Sequence, residues 1–264
     1  IQRISLFNAA TDYQQFLAST VIPALLHILA MVIGATTIGR ELRDKQIGRW
    51  YDFIESGHPD LTSIEANTKN DIENDKTIAA STSAANNKTS VIDNKPRKAS
   101  ILVLLSGLLG KYFWPTLAYS LWSILALWLA APQQAVAISS IMATYVGLVL
   151  LMMLSFWLGA IFTLTSFSLR MGLSSTGFIS APSYAFAGVT FPYIAISDSA
   201  KHWSDALPLT HYLKLHIAQL QMQAPVAISL PIVYGLTLAT VIAMFLAALL
   251  SKRALAHPER WGAR

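Results

Sequence analysis

The segment MGLSSTGFISAPSYAFA, residues 171–187, contains no charged side chain. As a helix at 1.5 Å per residue it would be about 25 Å long, close to the thickness of a bilayer core. It reads as a membrane span that then breaks. Pro182, Gly188 and Pro192 fall close together, and a helix interior tolerates none of them well. Beyond Phe191-Pro192 the chain turns amphipathic, with Trp203, Leu207, Leu209, Tyr212, Leu213 and Leu215 set among Lys201, His202, Asp205, His211 and Lys214. This pattern predicts short helices in the membrane interface, where Trp and Tyr are favoured. A true span returns only near Ile228.

Composition agrees. Of the 264 residues, 54% are hydrophobic and 12% charged, and the mean hydropathy is +0.48. Soluble domains carry about 25% charged residues. Half that, with several long apolar runs, predicts an all-α polytopic membrane bundle. The absence of Cys excludes a disulfide framework and a thiolate metal site.

Outward from the opening segment, further spans are expected at 16–39, 112–131, 135–162 and 228–250, which makes five in all. Residues 1–15 read as the end of an extracytoplasmic region. Residues 40–58 follow the first span, and Ile47, Trp50, Tyr51 and Ile54 fall at helical spacing, which predicts an amphipathic helix on a membrane surface. Residues 59–100 are rich in Asn, Asp, Lys, Ser and Thr. Such a stretch cannot bury enough apolar surface to offset its ordering entropy, so a disordered insertion is expected. Its Asn87-Lys88-Thr89 sequon reads as a chance match. Residues 101–110 read as an apolar lead-in helix ending at Lys111, and 131–134 as a tight turn. The core is expected over 101–264, with an interfacial hairpin at 193–225.

Charge sets the orientation. All but three of the 19 Lys and Arg fall in the 40–111 loop, at Arg170 or in the C-terminal tail; the exceptions are Arg3, Lys201 and Lys214. The positive-inside rule makes the first group cytoplasmic. The basic balance therefore needs no nucleic-acid partner.

Two motifs, in order, suggest a family. Ala185-Phe186-Ala187-Gly188-Val189-Thr190-Phe191-Pro192 and Leu207-Pro208-Leu209-Thr210-His211-Tyr212-Leu213 resemble the last third of ABC-2 type permeases. These are membrane subunits of ATP-driven exporters, and the resemblance is nearest the bacterial multidrug-type branch. Gly39-Arg40-Glu41 followed by Gln46-Ile47-Gly48 resembles that family's coupling segment, although Arg49 stands where the family often has Thr. The long 59–100 insertion also departs from the family pattern. The resemblance implies a multi-pass protein of the bacterial inner membrane, starting here after a missing first span and external domain. It implies a cytoplasmic ABC ATPase partner that carries ATP-Mg, and a second permease subunit, identical or different. A periplasmic adaptor and membrane lipid complete the expected partners. Coupling would fall to Arg40, Glu41, Arg43, Gln46 and Gly48. Phe191, Pro192, Pro208, His211 and Tyr212 would form the outer gate. Transport would proceed by alternating exposure of a cavity between two permease subunits.

The residues themselves point the same way in part. The spans hold almost no ionisable group except His27, which disfavours an ion-coupled transporter. His27 reads as a packed, hydrogen-bonded side chain. No G-x-x-x-x-G-K-[ST] segment occurs, so nucleotide must bind elsewhere. No Ser/His/Asp or paired-carboxylate arrangement stands out, and no catalytic site, cofactor or metal is expected in this chain. His202, His211 and His216 lack the i, i+4 spacing of a helical metal pair. Ser155, Gly159 and Thr163 recur at intervals of four, as do Gly172, Thr176 and Ser180. Small residues at this spacing let helices pack closely. Alternatively, Ser155, Phe156, Thr163, Thr176, Phe178 and Ser180 line a path for amphipathic or apolar cargo, drug or lipid-like. Two rivals to the exporter remain: a non-transporting scaffold of an envelope or secretion complex, and an ion-coupled transporter.

Overall fold

The structure, a computed structural model, describes residues 13–56, 99–130, 136–189 and 197–262, with side chains from Ala18 onward. Among these residues the fold is all-helical. In chain order the helices are α1 (Tyr13–Arg43), α2 (Ile47–Ser56), α3 (Ile101–Ala130), α4 (Ile138–Ser166), α5 (Leu169–Phe186), α6 (Asp198–Ala206), α7 (Pro208–His216) and α8 (Val226–Ala256). A π-helical turn, Ile217–Gln221, extends α7, and a 3-10 turn, Pro258–Arg260, follows α8. The expected insertion lies outside the described residues except for Ala99 and Ser100. So do residues 1–12, the turn at 131–134, and Phe191-Pro192.

Among the described residues four helices are long and apolar enough to cross a membrane: α1 from Ala18, α3, α4 and α8. The chain is therefore a membrane protein. In hydrocarbon every backbone N–H and C=O must be satisfied within the segment, and long uninterrupted helices do this. The expected fifth span, α5, has 18 residues. Its Ser174, Ser175, Thr176, Ser180 and Ser183 make it more polar than the other four.

Helix α4 is the axis of the bundle and packs against α1, α3, α5, α7 and α8. Its seam with α1 is built on glycine. A Cβ on Gly34 would strike the Phe156 carbonyl, and one on Gly159 would strike the Met31 carbonyl. Backbone meets backbone here, the close approach that small residues permit. Helix α5 runs along both. A Cβ on Gly172 would strike Thr163, and one on Gly39 would come within 3.1 Å of the Leu169 Cβ. At its far end, Tyr184 bonds Thr20 at 3.0 Å.

Two expectations are corrected. First, the 101–110 lead-in and the 112–131 span form one helix, α3, with Lys111 and Pro115 inside it. Lys111 does not end the helix because Glu41 and the Trp50 ring receive its charge. Second, the amphipathic helix begins at Ile47. Arg40, Glu41 and Arg43 belong to the last turn of α1. Lys45, at φ 56°, ends α1: Gln46 N–H bonds the Glu41 carbonyl at 2.8 Å and Lys45 N–H the Leu42 carbonyl at 3.3 Å. These are the paired bonds of a left-handed helix cap. The 171–187 segment ends where the sequence predicts: α5 runs through Pro182 to Phe186. The break comes at Gly188, whose φ of 80° suits a residue without Cβ.

Candidate functional site

The two ends of the bundle differ. Arg40, Arg43, Arg170, Lys252, Arg253 and Arg260 are exposed at one end. The ends of α1, α4 and α8 meet there. Gly262 N–H bonds the Phe167 carbonyl at 3.1 Å, and a Cβ on Gly262 would lie 3.5 Å from the Leu42 and Arg43 carbonyls. The α6–α7 hairpin belongs to the opposite end, with Lys201 and Lys214.

At the basic end α2 folds back against α3. Ile47, Gly48 and Tyr51 are buried. The Ser100 N–H donates to the Tyr51 hydroxyl at 3.1 Å, and Ile54 lies against Gly107. Lys111 bonds Glu41 and sits 4.7 Å from the centre of the Trp50 ring. Of the five expected coupling residues, Arg40, Arg43 and Gln46 are exposed, Gly48 is buried and Glu41 is engaged by Lys111. Arg43 bonds Asp44 at 2.8 and 3.2 Å. That guanidinium holds the Asp44 carboxyl below the usual carboxylate range.

The expected cargo path divides. Ser155, Phe156 and Thr163 belong to the packed seam. The Ser155 hydroxyl donates to the Leu151 carbonyl at 2.6 Å. It therefore accepts from His27 Nδ1, also at 2.6 Å, since a hydroxyl has one proton to give. Phe156 lies between Tyr112 and Tyr119, with ring centres 6.0 and 5.3 Å away. Thr163 bonds the Gly159 and Ala35 carbonyls at 3.1 and 3.3 Å. Tyr112, which the sequence reading passed over, donates to the Gly34 carbonyl at 2.9 Å. Phe178 is exposed, 77%.

Thr176 and Ser180 behave differently. Both are fully buried, yet neither hydroxyl has a hydrogen-bond partner among the described residues. Ser204, Thr210, His216 Nε2, Gln219 Oε1 and, on α8, Ser251 share that condition. Buried polar groups are normally bonded. All of these exceptions but Ser251 fall on α5, α6, α7 and the π turn, and π turns are frequent at functional sites.

The hairpin's second arm does not lie on the surface. In α7, Leu209, Tyr212, Leu213 and Leu215 are buried, and Tyr212 and Leu215 lie over Gly147 of α4. Tyr212 bonds His216 Nδ1 at 3.0 Å, and Gln219 donates to Ser229 at 2.7 Å. Burial pushes His216 down to about 4. Pro208 opens α7 at its first turn, where its missing N–H costs nothing. His211 donates to the Asp205 carbonyl at 2.8 Å and closes the hairpin corner. Trp203, on α6, is the exposed aromatic. Of the five gate residues, Pro208, His211 and Tyr212 thus share the hairpin, and Phe191 and Pro192 lie outside the described residues. The three hairpin histidines do not gather: His202 is exposed, His211 closes a corner and His216 is buried.

Comparison with family models, characterised proteins and solved structures finds no match to this chain.

Proposed function

We propose that this chain is the permease subunit of an ATP-driven ABC exporter of the ABC-2 type, moving amphipathic or apolar cargo out across a bacterial inner membrane. The observation that carries the reading is the basic end. A ten-residue amphipathic helix, α2, is clamped there to α3; its Arg49 is exposed, as are Arg40, Arg43 and Gln46 just before it. That is a firm lever with a charged, accessible surface, the form needed to pass motion from a cytoplasmic ATPase to the spans. ATP-Mg belongs to that partner. Helix α5 supplies the fifth crossing, with Thr176 and Ser180 on its buried face. The α6–α7 hairpin closes the outer side, and a second permease subunit completes the cavity.

The test is purification of the chain from its native membrane in mild detergent. A stoichiometric subunit bearing a Walker A sequence is expected. Envelope proteins recovered without an ATPase would replace the exporter with a membrane scaffold. One observation favours that second reading: Glu41, the acidic residue of the coupling segment, is held by Lys111 of the same chain.

A further inference from the structure

Phe167 caps α4 in the left-handed region, at φ 55°, and its ring is buried. Its carbonyl accepts the Gly262 N–H at 3.1 Å. Trp261 is buried and donates its indole N–H to the Ala254 carbonyl at 2.6 Å. These two bonds strap the tail beneath the α4–α5 turn. They hold the Arg260 guanidinium 4.7 Å from the centre of the Phe167 ring. Arg253, in the last turn of α8, lies 5.4 Å from the same centre.

Two guanidiniums thus share one ring. Cation–π attraction accounts for each alone. It does not account for the pair, which stands no more than about 10 Å apart, within a Debye length, where like charges still repel. Among the described residues neither arginine is in an ion pair. The neighbouring carboxylate, Glu259, bonds His257 at 3.1 Å. Lys252, next to Arg253 in sequence, and Arg170, just after Phe167, are both exposed and add positive charge. A fold that assembles two uncompensated arginines on a shared aromatic support is built for an anion. The site lies where α4 and α8, both long enough to span, come to their ends. That is the level of lipid headgroups, where anionic lipid concentrates on the cytoplasmic leaflet.

We propose that Arg253 and Arg260 clasp the phosphate of an anionic phospholipid at the bilayer edge. Planar guanidinium forks match phosphate oxygens in pairs. The site stands independently of the transport reading.

The test uses the full chain in phosphatidylcholine nanodiscs with rising phosphatidylglycerol, and native mass spectrometry reads the retained lipid. Wild-type protein is expected to retain phosphatidylglycerol over phosphatidylcholine. R253Q/R260Q should lower that preference roughly tenfold, the scale of a lost charge-assisted contact, whereas R43Q/R49Q should keep it. Should the glutamine pair fail to fold, R253K/R260K retains the charge and loses the forks; a several-fold loss is expected. Unchanged retention in R253Q/R260Q or in R253K/R260K would overturn the site. Equal loss in R43Q/R49Q would reduce it to general surface charge. Displacement of the lipid by millimolar inorganic phosphate would make free phosphate the ligand and remove the lipid assignment.

Discussion

Gly34 and Gly159 show how far a single atom decides this bundle. A Cβ at either would meet fixed backbone of the opposing helix, with Phe156 Cα or Ala35 N at 2.7 Å. Backbone cannot swing aside as a side-chain tip can, so α1 and α4 would have to separate. Gly34→Ala or Gly159→Ala is expected to lose about 1–3 kcal/mol, the usual cost of overpacking. Gly177 has open space around it, so Gly177→Ala should be neutral or gain up to about 1 kcal/mol of helix propensity. Thermal unfolding of the three variants in one detergent checks the contrast; equal effects would refute the backbone-contact argument. His216 makes a different residue-scale prediction. Its folded pKa of about 4 lies below the ordinary 6.5. Between those values the unfolded chain binds the extra proton, so stability is full above pH 6.5 and falls toward pH 4. The swing is roughly 3 kcal/mol at 1.36 kcal/mol per unit. The pH dependence of the melting temperature should be shallower in His216→Gln than in wild type, and identical slopes would count against a buried neutral imidazole.

At the scale of elements, the sequence showed α2 by its apolar spacing but misjudged where it starts. Arg40, Glu41 and Arg43 continue α1 because Lys45 adopts a left-handed cap, a conformation usually left to glycine and without a signature in a lysine. Lys111 was misread for a related reason. A lone charge in an apolar run looks like a boundary until its partner is known, and Glu41 lies 70 positions away. The pair ties α1 to α3, and Trp50 of α2 covers the lysine. Both side chains are about four-fifths buried, so the coupling should exceed that of an exposed pair, about 1 kcal/mol. A double-mutant cycle of Glu41→Gln and Lys111→Met, read by thermal unfolding, measures it; strict additivity would mean the pair contributes nothing to stability. Two other variants bear on function. Arg40→Gln and Gln46→Ala change exposed positions outside the clamp. If α2 and the end of α1 couple an ATPase, these two should reduce transport-linked ATP hydrolysis without moving the melting temperature.

Across the whole molecule, the membrane class was legible because hydrophobicity accumulates over long windows, and so was the basic end, because charge counts by loop. Thr176 and Ser180 could be picked out by their spacing. That their hydroxyls are unpartnered, while that of Ser155 is bonded, could not, since it depends on which helix lies opposite. The count of crossings shows how geometry extends the hydropathy argument. By apolarity only α1, α3, α4 and α8 suffice. Yet α4 and α8 both end beside Phe167. If α4 and α8 each span, the chain between them must return once through the bilayer. Helix α5 fits that return: it begins beside Gly39 and ends beside Thr20 of α1, at 1.5 Å per residue about 28 Å of depth. Its polar face is buried on α1 and α4, so it needs less apolarity than a lipid-facing helix. The chain has no Cys, which makes single-cysteine mapping clean. In intact cells, Ser199→Cys and Trp203→Cys on α6 should react with a membrane-impermeant maleimide, while Arg49→Cys and Lys252→Cys should react only after permeabilisation. Labelling of all four from the same side would remove the α5 crossing and, with it, the hairpin's place as an outer closure.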